Sequence, residues 1–86
     1  MNKTVLDALK EDREAVKKNC EENGVKYDYE ISIHGNYYVL KETDLDRGGH
    51  EFSLYGSEKT KHKGFVATFP TGAMALQMAH YCTLDD

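Results

Sequence analysis

The chain predicts an α+β fold in the order α-β-β-β-β-α: a four-stranded, largely antiparallel sheet with two helices packed on one face. Three observations predict it. Residues 25–34 alternate without a fault, Val25, Tyr27, Tyr29, Ile31 and Ile33 pointing one way and Lys26, Asp28, Glu30, Ser32 and His34 the other. Successive side chains leave a strand on opposite sides, so this strand has one apolar face and one wet face. Gly35-Asn36 then supplies the positive-φ residue of a tight two-residue hairpin. Finally, a charged amphipathic stretch precedes this hairpin, and an apolar one follows the last strand.

The first helix starts at Thr4, whose hydroxyl stands three residues before Asp7 in the manner of a capping box. Val5, Leu9, Val16 and Cys20 share a face with Leu6 beside it, and Asp12 and Arg13 interrupt the stripe. Asn23-Gly24 ends the helix, Gly24 taking the left-handed position and Val25 the apolar contact back.

A two-residue loop fixes the cross-strand partners. His34 faces Tyr37, Ile33 faces Tyr38, Ser32 faces Val39, Ile31 faces Leu40, and Glu30 faces Lys41. Residues 44–49 read as a loop. Glu51 to Tyr55 alternates again, with Phe52 and Leu54 expected inward, and Gly56 to Gly64 is a lysine-rich turn. Phe65, Ala67 and Phe69 are expected inward on a fourth strand, which Pro70 stops. Thr71 caps a second helix from Ala73 to about Cys82. Only Gln77 and His80 are polar in that stretch. A helix apolar almost all round is buried on more than one side, either beside the first helix on the sheet or against a partner.

Eighty-six residues make one domain, 1–86, with room for one core. The net charge of −4 disfavours a general phosphate-backbone binder and suits a protein that docks on a basic partner, including a nucleic-acid-handling one. No apolar run is long enough for a signal peptide or a membrane span. Cys20 and Cys82 are far apart and form no C-x-x-C pair, which suits reduced thiols in the cytoplasm, with one bridge between the two helices as the alternative.

The candidate contact surface is the sheet face left open by both helices, expected to carry Ser32, His34, Tyr37, Val39, Ser53, Tyr55, Val66 and Thr68. Tyrosines give rigid contact area with a polar tip, although strands favour Tyr, Val and Thr in any case. The carboxylates Asp44 and Asp46, joined by Asp85 and Asp86 if that end folds nearby, form a second candidate contact. The segment around them departs from a calcium loop: Gly48 stands at position five and Tyr55 at position twelve, where ligands belong. Lys59, Lys61 and Lys63, with His62, form a small basic knob, the candidate site of an alternative function as a nucleic-acid-binding regulator.

His34, His50, His62 and His80 have no metal-ligand spacing, and no residue is set as a nucleophile beside a base. The expectation is a non-enzymatic chain without cofactor or metal. In build, a compact acidic α+β domain of this size resembles the small accessory proteins of phages and mobile elements. That resemblance rests on no motif. It implies an inhibitor that occupies one surface of a host protein, as anti-CRISPR and other anti-defence proteins do; immunity proteins and antitoxins are similar in build. The apolar second helix, or an unpaired edge strand, leaves room for a homodimer.

Overall fold

The structure, a computed structural model, describes residues 3–44 and 48–86. Its elements are α1 (Val5–Glu22), β1 (Tyr27–His34), β2 (Tyr37–Asp44), β3 (Gly49–Gly56), β4 (Gly64–Phe69) and α2 (Gly72–Asp85). The four strands form one antiparallel sheet in chain order, so β2 and β3 are central and β1 and β4 are edges. Class and element order are those expected.

Local chemistry explains the boundaries. Thr4 Oγ1 accepts the Asp7 amide at 3.1 Å and opens α1. At the other end Gly24 has φ +73, Val25 N–H reaches Cys20 O at 2.8 Å, and Gly24 N–H reaches Glu21 O at 3.2 Å. These two bonds satisfy carbonyls that the helix leaves free, in a Schellman arrangement. Gly35 has φ +64, and Asn36 is not among the positive-φ residues, so the β1–β2 turn is type II′. The register is His34↔Tyr37 through Glu30↔Lys41, as expected, and continues to Tyr27↔Asp44. β1 begins at Tyr27 rather than Val25, and Asp44 ends a strand rather than opening a loop.

The helices, however, do not share a face. α1 docks on the side of β2 that carries Leu40 and Glu42: Arg13 of α1 bonds Glu42 Oε2 at 2.7 Å, and Leu9 is its buried residue. Through Ala75, Ala79 and Cys82, α2 docks on the opposite side, onto Tyr37, Val39 and Leu54, with Phe52, Val66 and Phe69 around them. The sheet is therefore the middle of three layers. The cause lies in β2, where Tyr37, Tyr38, Val39 and Leu40 follow one another, so both faces of this central strand are apolar and both need cover.

Two further expectations change with it. Val39 pairs with Leu54 and Lys41 with Phe52, so Phe52 and Leu54 belong to the α2 side and not to the side of Leu40. A bulge between Leu54 and Tyr55 then shifts β4: Ala67 stays opposite Leu54, but Phe65 comes opposite Tyr55 on the α1 side, where it is exposed. The rings of Tyr55 and Phe65 meet edge to face at 5.6 Å between centroids.

The turn from β3 to β4 is wound tightly around Thr60. Its hydroxyl donates to Ser57 O at 2.8 Å and accepts from Lys63 N–H at 3.3 Å, and the side chain is buried. Gly56 passes beside it. A methyl group at residue 56 would fall on Thr60 Oγ1 and lie 3.2 Å from Tyr37 Cε2. Gly56→Ala is expected to destabilise the fold by about 1–3 kcal/mol, the usual cost of overpacking, read as a lower urea midpoint at unchanged slope.

Candidate functional site

The residues singled out from sequence separate in space. Tyr37 is 0% exposed and Val39 5%, both under α2, so neither can be offered to a partner by the folded chain. Tyr55 and Ser53 lie on the α1 side, and His34 remains exposed at the end of β1 with its Nε2 2.9 Å from Ser32 Oγ. The face expected to be open is thus covered by α2 over its centre. What stays free there is a groove of about 230 Å³ between α2 and β1, walled by Leu76 and Gly72, floored by Val39 and Phe52, and rimmed by Glu30, Ser32, His34 and Lys41. Asp44 is half-buried at the end of β2, and Asp46 lies outside the described residues. Lys59, Lys61 and Lys63 are exposed, but carboxylates are built into the same knot. Glu58 accepts Val5 N–H at 3.3 Å and Asp86 accepts Lys61 N–H at 3.2 Å, so positive charge does not stand alone there. Among the described residues no group of three or more His, Cys, Asp or Glu could hold a metal ion, and no helix is long and apolar enough to cross a membrane. Cys20 and Cys82 are free thiols, on helices that lie on opposite sides of the sheet.

The surface with the clearest signature is α2 itself. Ala75, Ala79 and Cys82, spaced four and three apart, form its inner face. Small side chains let the helix approach the sheet closely, and they leave its large apolar ones outside. Met74, Leu76, Met78, Tyr81 and Leu84 are all exposed, Tyr81 at 56% and Leu84 at 71%. Met74, Met78, Tyr81 and Leu84 follow at steps of four, three and three, one continuous stripe along the helix. Beside it Phe69 of β4 joins Met74, Gln77, Met78 and Tyr81 around a shallow hollow of about 170 Å³.

The charge distribution marks the same surface. Every one of the 11 basic and 15 acidic side chains lies outside residues 64–84, the segment that makes β4 and most of α2. Elsewhere the surface is densely charged. This uncharged block was legible in the sequence, and it is a sharper signal than the tyrosines of the sheet. Charge returns at the C-terminal end of α2, where Tyr37 O–H donates to Asp86 Oδ2 at 2.7 Å and Asp86 Oδ1 accepts from Lys61. The bond from Tyr37, with the Lys61 amide and the nearby positive charges of Lys61 and His62 assisting, holds the Asp86 carboxyl below its ordinary value. Burial, and then the Asp86 carboxylate, push the Tyr37 phenol up.

A carboxyl depressed in the folded state stabilises it at and above the ordinary carboxylate pKa, and that contribution is lost as the pH falls through the lower, folded value. The clasp is therefore expected to be at full strength above the ordinary carboxylate range and to open only as the pH falls through the lower, folded value. In an NMR titration the Asp86 side-chain carboxyl should show a midpoint below that of an ordinary aspartate, and Tyr37→Phe should raise it.

Comparison with known proteins returns nothing that bears on the site: no protein-family model, no curated protein and no solved structure matches this chain.

Proposed function

We propose that the protein is a small binding module that acts by occupying a surface of a partner protein, and that the outer face of α2 makes the contact. The observation that supports this most is the helix stretch from Gly72 to Leu84, free of Asp, Glu, Lys and Arg, carrying Met74, Leu76, Met78, Tyr81 and Leu84 outward on an otherwise charged chain. Soluble chains seldom leave a contiguous apolar patch without a partner for it. Met and Tyr are also residue types that interfaces enrich. The partner chemistry that fits is an apolar groove receiving one helix by anchors at successive turns. Asp85, Asp86 and the lysines of residues 59–63 would form the polar rim that excludes water around such a contact.

In the cell this is the action of an inhibitor or antagonist, in the manner of the small anti-defence and anti-CRISPR proteins that the chain resembles in build. Neither a substrate cleft nor a cofactor is needed for it. The test is affinity capture from lysate with three proteins: the wild type, Met78→Glu/Leu84→Glu, and Lys59→Glu/Lys61→Glu/Lys63→Glu. A single stoichiometric protein lost only with the α2 variant supports the proposal. Nucleic acid retained by the wild type and lost with the lysine variant would replace it with the regulator alternative.

A further inference from the structure

The two edges of the sheet are unlike. β4 has six residues, carries the extra bulge residue Val66 between Phe65 and Ala67, and runs into Pro70. β1 has eight residues in unbroken register with β2, and none of them is proline, glycine or lysine. Edges are ordinarily blunted by such residues or by bulges, because unpaired N–H and C=O groups otherwise recruit another strand.

The turn identifies which groups face outward. In a two-residue hairpin the closing pair, here His34 and Tyr37, is hydrogen-bonded, and bonded pairs alternate from there. Ser32, Glu30 and Asp28 therefore bond to β2, while Tyr29, Ile31 and Ile33 turn their N–H and C=O groups away from the sheet. Tyr29 shows this directly, its amide donating to the Asp28 carboxylate at 2.9 Å. Lys17 Nζ reaches the same carboxylate oxygen at 3.4 Å, so this end of the edge is already closed. Ile31 and Ile33 form the open part, and Ile33 is 60% exposed.

We infer that β1 pairs antiparallel with β1 of a second copy about a two-fold axis through Ser32, joining two sheets into one of eight strands. Three registers can be compared. Centring on Glu30 would oppose two carboxylates, and centring on Ile31 would take the Tyr29 amide away from Asp28. Centring on Ser32 uses the Ile31 and Ile33 amides of both copies, opposes each Ile31 to the other copy's Ile33, and sets Glu30 against His34 across the axis. Above this edge α1 presents Lys10, Glu14 and Lys17, both signs of charge, around Tyr29, Glu30 and Ile31. The two-fold stands perpendicular to the sheet, so both α2 helices come to one side and the dimer presents two docking faces together.

Sedimentation velocity and amide hydrogen exchange, each run at millimolar and at low-micromolar concentration, test the pairing. The expected result is a dimer at the higher concentration with slow exchange at Ile31 and Ile33, the protection falling at least about tenfold on dilution to monomer. Ile33→Pro removes an outward N–H and no bond to β2, so it should give a folded monomer, whereas Met78→Glu should remain a dimer. A monomer at millimolar concentration would overturn the inference, and so would a dimer whose Ile31 and Ile33 amides exchange freely. Loss of the dimer in Met78→Glu with its retention in Ile33→Pro would assign self-association to α2 instead. The exchange measurement on the wild type decides the matter even if the proline variant does not fold.

Discussion

Tyr37→Ala is expected to cost about 3–5 kcal/mol, the range for deleting a buried aromatic ring, and so to remove a large share of the stability of the domain. An 86-residue domain holds only about 4–13 kcal/mol in all. Three features combine at this residue. The ring is 0% exposed in the core beneath α2, its hydroxyl holds Asp86, and the wall it forms beside Gly56 supports the turn around Thr60. Tyr37→Phe keeps the ring and loses one hydrogen bond to a charged group at an exposed carboxylate. Its cost should be a small fraction of the alanine variant's. Urea denaturation of the two variants separates these contributions. If Tyr37→Ala were as stable as the wild type, α2 would not be packed where it is described.

The second large effect concerns the inner face of α2. Ala75 is fully buried against the sheet, and Ala75→Leu adds three carbon atoms where none fit. The expected destabilisation is at least about 1–3 kcal/mol, because the whole helix must lift or the strands must yield. Ala73→Leu, two residues earlier and exposed, should change stability by less than about 0.5 kcal/mol. The comparison tests the inversion on which the docking face depends, small residues inward and large ones outward. Equal effects at the two positions would show that α2 does not distinguish these faces.

Much of the fold could be read from particular residues. Thr4, Gly24 and Thr71 mark helix ends through bonds that any helix terminus requires, and the structure makes them. Gly35-Asn36 sets the β1–β2 register because a two-residue turn permits only one. The β2–β3 pairing carries no such constraint. Its connection is longer, and a slip of one exchanges faces, so alternation alone sets Phe52 and Leu54 beside Leu40 instead of Val39. Nor does alternation reveal a three-layer arrangement. β1 declares one apolar face clearly, but β2 is apolar on both, and that run was the available sign that a helix lies on each side.

Tyr37 and Val39 looked like surface because their strand partners, His34 and Ser32, are polar, yet α2 covers the two β2 residues and leaves the β1 pair outside. Arg13 looked like a gap in the apolar stripe of α1. It instead reaches Glu42, which also accepts the Tyr27 hydroxyl at 2.6 Å, and this polar cluster ties helix to sheet. For α2, apolar composition alone could not separate a buried helix from a presenting one. The distinction lies in size: alanine and cysteine inside, methionine, leucine and tyrosine outside.

Site-specific photo-crosslinking in the cell tests the docking claim most directly, with a photoreactive phenylalanine analogue placed singly at Met78, at Leu84 and, as a control on α1, at Glu11. Crosslinking of one protein from Met78 and Leu84, and none from Glu11, is expected if the outer face of α2 makes the contact. Crosslinks from Glu11 alone, or none from either α2 position while the protein still acts on its target, would contradict it.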